Sequence, residues 1–390
     1  MKLLPSIARL LVLGSLLGSA AVAQELVEST ELPEAIRVLD TAPSKSLLPC
    51  FIQFDGNPQL DFLFRYTAGF LVYCRLGEKL RAGTRLVAFV RITPSSGKPT
   101  IMTEQFDIPH VRQHDSAGFY APPSELEASM SGGFALGSGR YSAEVVLVDE
   151  QGRTCRKRKK LKPGRERGDR NVPVALERGA VAPLVDARWN GSLATNGPRL
   201  TVLLNAHGAL SSANLHALDR IILLESLTTM LNHIPCKSVK LIAFDLESQQ
   251  KIFSQDTFDA DGFVGLERAL ERIQFASIPY QALRKGGWTR FLVDLAQRES
   301  ASKESPDDVV FLGPWGSHEW EKLPRELARK VEVSNAHFFY FALFPNVGGG
   351  PDGLERLTRD LHGSVFAIRS PETLEQAIRK TVSLTAGPLN

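Results

Sequence analysis

The sequence predicts an α/β protein in which a C-terminal doubly wound, mostly parallel sheet follows an antiparallel β-sandwich domain. Three observations carry that expectation. Leu200-Thr201-Val202-Leu203-Leu204 runs without polar alternation, as suits a strand covered on both faces. From Leu200 to Ser383 such runs alternate with amphipathic stretches, and strands alternating with helices imply right-handed crossovers within one sheet. From Leu48 to Lys162, by contrast, every signal is for strands, with Gly and Pro turns between them.

Met1 to Ala23 pairs Lys2 and Arg9 with an apolar stretch from Leu10 to Leu17 and a small-x-small site, Ala21-Val22-Ala23. That pattern is a secretory signal peptide, and the apolar run is shorter than the roughly 18 residues a span needs. The mature chain is expected to be secreted or periplasmic, with no membrane span. Residues 24–47 carry Glu25, Glu28, Glu31 and Glu34 and are expected to form a loose leader.

The β-sandwich is expected over residues 48–162. Leu60, Phe62, Phe64 and Tyr66 alternate with Asp61, Leu63 and Arg65, the period of a half-buried strand. Leu86 to Thr93 is rich in strand formers and stops at Pro94. Gly132-Gly133-Phe134 and Leu136 to Tyr141 read as the tight turn before the last hairpin. In that hairpin Tyr141, Ala143, Val145 and Leu147 share a face, and Asp149-Glu150-Gln151-Gly152 turns into Arg153 to Lys160. Residues 163–198, with Pro163, Pro173, Pro183 and Pro198, are expected to be a linker before the second domain at 199–384.

Within that second domain, Leu218 to Leu231 carries an apolar stripe at helical spacing. Val239 to Phe244 and Lys251 to Phe253 are strands, and Phe263 to Ile273 and Thr289 to Arg298 are helices. Asp308 to Gly313 is a strand, followed by a polar helix near Glu319 to Lys330. His337 to Phe344 is an aromatic strand, Leu354 to Leu361 a helix and Ser364 to Ile368 the last strand. Pro371 to Ser383 closes the chain as a helix with Pro in its first turn.

The chain has 390 residues with 46 Lys and Arg against 43 Asp and Glu, a net charge of +3, so the whole-molecule field is weak. Locally, ten cations from Arg153 to Arg170 form a basic run. No aromatic residue interleaves it, which argues against nucleic-acid stacking; the run reads as a solvated strand end plus linker. Of four cysteines none forms a C-x-x-C pair, which sets aside zinc and thioredoxin-type chemistry. A disulfide among Cys50, Cys74 and Cys155 is expected in an exported protein, with the pairing open. Cys236, after Pro235, is expected to be a buried thiol.

The element order from residue 198 to 384, with the Gly286-Gly287-Trp288-Thr289 turn, resembles a von Willebrand factor A-type domain. The signal peptide and β-domain before it resemble a secreted bacterial two-domain layout. The resemblance implies a binding module, often with a magnesium-type ion at the strand tips, held by an Asp-x-Ser-x-Ser motif, a Thr and a later Asp. Here the first motif's positions read Asn205, His207 and Ala209, the Thr matches Thr289, and the late Asp reads Gly313. A shifted register brings Ser211 and Ser212 to Asn205 but still supplies no carboxylate. Magnesium demands hard, mostly anionic oxygen ligands, so no bound divalent ion and no other cofactor are expected. Asp245 is read as a turn residue.

No catalytic signature of the Gly-x-Ser-x-Gly, His-Glu-x-x-His, P-loop or dinucleotide type occurs. Asp256, Asp259 and Asp261 sit in one loop, but an EF-hand alignment puts Thr257 first and Arg268 last, so the bidentate acid is missing. The expectation is a non-catalytic protein-binding or scaffold module using the strand-tip face: Asn205, His207, Ser211, Ser212, Trp288, Thr289 and Trp315. The two tryptophans either anchor a partner or pack on their own loops. The competing expectation is an extracytoplasmic hydrolase with no recognisable motif, which would need a concave pocket with convergent titratable groups.

Overall fold

The computed structural model describes residues 25–43, 46–77, 80–81, 83–108, 127–164, 171–184, 187–207, 215, 217–246, 248–273, 287–300, 305–315, 336–344 and 352–385. The signal-peptide segment, the polar helix near Glu319 and the Gly348-Gly349-Gly350 loop lie outside them. The protein is α/β, with two antiparallel sheets and one mixed sheet. It divides into two compact units. The first holds residues 1–60, 65–166 and 174–185, and the second holds 61–64, 167–173 and 186–390.

In the first unit, one sheet is built from β1 (Glu25–Leu26), β5 (Arg85–Pro94), β6 (Thr100–Asp107), β8 (Tyr141–Asp149) and β9 (Thr154–Leu161), in the order β1-β6-β5-β8-β9. The other holds β2 (Cys50–Phe54), β3 (Gln59–Leu60), β4 (Tyr66–Arg75), β7 (Glu127–Leu136) and β10 (Val181–Pro183), in the order β10-β7-β4-β2, with β3 also on β4. Burial alternates along β4 and β5, and the inward rows of both sheets form one core. Phe70, Val72 and Phe134 face Val90, Met102 and Val145 there. The disulfide joins Cys50 to Cys74, opposite residues on β2 and β4. Cys155 and Cys236 are buried and free; burial pushes the Cys236 thiol up to about 11.

Four expectations are corrected here. The leader is not loose: α1 (Leu32–Thr41) buries Ala35 and Leu39 against Ile101 and Val146 on the outer face of the first sheet. The segment read as linker contributes β10, paired with β7 through Val181↔Leu136. Gly132 and Gly133 are interior to β7 rather than a turn. A Cβ at Gly132 would collide with Glu104 Oε2 and the Phe70 ring. Finally, the alternation from Leu60 to Tyr66 is not one strand. Phe64 takes a left-handed backbone (φ 58°), and residues 61–64 leave the sheet to become part of the second unit.

The second unit has a six-stranded sheet of β11 (Arg199–Asn205), β12 (Ser238–Asp245), β13 (Gln250–Gln255), β14 (Asp308–Pro314), β15 (His337–Leu343) and β16 (Ser364–Ile368). The order is β13-β12-β11-β14-β15-β16, all parallel except β13, which returns antiparallel on β12. Every residue of β14 is buried, which explains why its sequence shows no alternation. The helices are α2 (Ala217–His233), α3 (Ala260–Glu271), α4 (Gly287–Ser300), α5 (Gly353–Asp360) and α6 (Pro371–Thr385). The expected stripe on α2 is in fact broader, since residues 223–231 are all buried. Part of that cover is the 61–64 segment: Thr229 Oγ1 donates to the Phe62 carbonyl at 2.6 Å, and Phe64 meets His233 edge-on at 5.5 Å. Among the described residues, no helix is long and apolar enough to cross a membrane.

Candidate strand-tip site

In a doubly wound sheet the ligand crevice lies beyond the carboxyl ends of the strands, where the strand order reverses. Here the order reverses around β11 and β14, so Asn205 and Gly313 stand at the tip. Leu204 pairs with Leu312 one residue earlier. Asn205 is 2% exposed, and its Oδ1 makes no hydrogen bond among the described residues. Gly313 leaves no room for a side chain, because a Cβ there would press on the backbone of Asn205.

Beside Asn205, the backbone of Ala206 donates to the Phe244 carbonyl at 2.8 Å, carrying β11's end alongside β12. His207 is half-buried, with Nδ1 3.5 Å from Asp245 Oδ1. Asp245, read from the sequence as a turn residue, is instead the last residue of β12; its Oδ2 accepts from Ser248 N in the turn that follows, at 2.9 Å, and it also faces His207, which its place in the sequence does not reveal. Asp219, in the first turn of α2, shields an Oδ2 that no described group hydrogen-bonds. With His207, Ile222, Leu223, Pro314 and Phe344 it lines a cavity of about 10 Å³, the size of one water.

The aromatic groups divide. Trp315 packs partly into the core around Tyr340 and Phe311, and its backbone N–H donates to Leu343 at 3.1 Å. Phe344 is 40% exposed, has a left-handed backbone (φ 49°) and meets Phe62 edge-on at 5.8 Å. Trp288 and Thr289 open α4, and their side chains lie outside the description. So do Ser211 and Ser212. Of the seven expected site residues, the structure therefore brings Asn205 and His207 together and seats Trp315 at the end of β14.

Asp352 is a buried carboxylate absent from the expected set. Its Oδ1 accepts from Glu355 N at 2.6 Å as the N-cap of α5, and its Oδ2 accepts from the Tyr340 hydroxyl at 2.8 Å. Burial first, and then the Asp352 charge, hold that hydroxyl well above the ordinary phenol range. The signal was present as Asp352-Gly353-Leu354-Glu355, a cap residue followed three positions later by an acid. In the loop before α3, Asp259 likewise caps the helix through Gly262 N at 2.8 Å, and Asp256 pairs with Lys240 at 2.8 Å.

No family model matches the chain, and no curated protein matches it. Solved structures do resemble it at low identity. They include the hypothetical protein BatB of Bacteroides thetaiotaomicron (13% identity, 49% of this chain and 99% of that one, TM-score 0.32). An aerotolerance-related membrane protein of Bacteroides fragilis also appears (13%, 48% and 100%, TM-score 0.32). A von Willebrand factor type A protein of Catenulispora acidiphila is a third (14%, 65% and 47%, TM-score 0.31).

Proposed function

We propose that this chain is an extracytoplasmic, non-catalytic protein-binding module, a β-sandwich followed by a von Willebrand factor A-type unit that engages its partner without a bridging cation. The observation that carries this reading is the closure of Gly313 on Asn205. A magnesium-type ion needs an octahedron of oxygens, and at the reversal point of this sheet one position offers no side chain and no space for one. The oxygen beside it is a neutral amide. What the tip offers instead is an exposed Phe344 and the flank of Trp315, the residue types that anchor protein interfaces. The Cys50–Cys74 disulfide supports an oxidising compartment.

The test has two arms. Thermal melting with and without excess Mg²⁺ or Mn²⁺ should coincide, because an ion that does not bind the native state cannot stabilise it; a clear rise in Tm removes the cation-free reading. A photo-crosslinking residue at Phe344 should give a discrete adduct in the native envelope, while the same group at Lys251 on β13 should not. Adducts from both positions, or from neither, remove the tip-face reading.

A further inference from the structure

The basic run resolves into two faces of β9, an edge strand. Arg156 and Arg158 turn to Glu144 on β8, with Nε–Oε1 distances of 2.5 and 2.6 Å. Successive strand residues point to opposite faces, so Lys157 and Lys159 lie on the other side, toward β2. Lys157 Nζ stands 5.6 Å from the centroid of the Phe51 ring. Lys159 Nζ donates to the carbonyls of Asp55 and Gly56 at 2.5 and 2.9 Å. Residues 51–54 of β2 and Lys157, Arg158 and Lys159 of β9 line a crevice of about 230 Å³.

Among the described residues that lining contains no carboxylate. Asp55, just beyond it, turns its Oδ2 into the space a Cβ on Gly69 would occupy. Arg158 is balanced by Glu144, whereas among the described residues the two lysines meet carbonyls and a ring. Lysines on an edge strand protect it from unwanted pairing. Protection alone does not account for an aromatic ring that is 56% exposed beneath one of the ammonium groups. The β2 ladder adds backbone groups. Asp55 N bonds to Gly69 O, so alternation places the N–H and C=O of Ile52 and Phe54 on the side away from β4.

We propose that this crevice binds an extended acidic segment of a partner protein, whose alternate carboxylates meet Lys157 and Lys159 while its backbone runs along β2. Same-face side chains of an extended chain recur about every 6.6 Å, which is the spacing of these two lysines on their own strand. A concave, apolar-floored slot suits a peptide better than the flat surface of a bilayer.

The test uses the folded, disulfide-bonded chain and a fluorescent peptide of about eight residues with Glu at every second position, read by anisotropy. Saturable binding is expected, weakening as salt rises from about 50 to about 300 mM. Lys157→Gln with Lys159→Gln should raise Kd roughly tenfold, and Phe51→Ala should raise it severalfold. Lys251→Gln, which removes one positive charge on β13 as Lys157→Gln alone does on β9, should leave it unmoved. Lys159 also holds the Asp55 turn, so Lys157→Gln and Phe51→Ala, each checked by circular dichroism, keep the test open if the double variant misfolds. Absence of saturable binding by the wild type, equal binding by the variants, or uptake of phosphatidylserine vesicles without peptide binding would each overturn the proposal.

Discussion

Gly313 and Asn205 stand so close that a methyl group on Gly313 would fall 2.6 Å from the Asn205 carbonyl oxygen and 2.7 Å from its Cβ. Two strand ends meet there with nothing between them. Gly313→Ala should destabilise the second unit by about 1–3 kcal/mol through overpacking, and Gly313→Asp by more, because its charge would also be buried. Urea unfolding of the two variants should show that order. Wild-type stability for Gly313→Asp would show that the tip opens readily and still accepts an acid.

Glu104 gives a pH signature. It is 7% exposed in the first unit's core, its Oε2 lacks a hydrogen bond among the described residues, and desolvation pushes its carboxyl up to about 8 from 4.5. Between those values the folded protein holds a proton that the unfolded chain has released. This contribution to stability is therefore full below about pH 4.5 and is lost as pH rises through about 8, by on the order of 4 kcal/mol. Glu104→Gln should melt above wild type at pH 8 and converge with it at low pH. Parallel melting curves across that range would contradict this.

Glu144 gathers three guanidiniums, those of Arg91, Arg156 and Arg158, and Arg91 reaches on to Asp40 of α1 at 2.7 Å. Removing the hub takes the carboxylate from the mostly buried Arg156 and, among the described residues, leaves Arg91 with Asp40 alone. Glu144→Ala should cost about 3–5 kcal/mol and release α1, seen as faster amide exchange over residues 32–41. Glu144→Gln should cost less.

Reduction of Cys50–Cys74, which closes a sequence separation of 24, should cost about 3 kcal/mol. Denatured, unreduced protein should titrate two free thiols, Cys155 and Cys236. Four thiols, or a peptide map linking Cys155 to Cys50 or Cys74, would reject the pairing.

The second unit was the more legible half because its strands are buried on both faces. Runs such as Asp308 to Pro314 then announce themselves without alternation, and the expected ends of β14, β15 and β16 fall within a residue or so of those seen. Period-two patterns are less informative. Phe62 and Phe64 alternate like strand residues, yet alternation reports only that a side chain is buried, not what buries it, and here the cover is α2. The Gly132-Gly133 pair misled for a related reason: glycine marks close approach as well as turns, and the approaching groups, Glu104 and Phe70, are distant in sequence. At the tip, Asn205 and His207 were legible as the residues after a buried strand. Asp219 was not, because it comes from a helix start that only the folded chain brings to the strand ends, and Asp352 was legible as a helix cap but not as a neighbour of Tyr340.

The docking of residues 61–64 onto α2 has a practical outcome for anyone dissecting the protein. A fragment beginning near residue 186 holds the whole parallel sheet but omits the four residues that cap Thr229 and His233. Such a fragment would display bare helix and self-associate, and adding a short peptide spanning 58–66 in trans should restore its solubility.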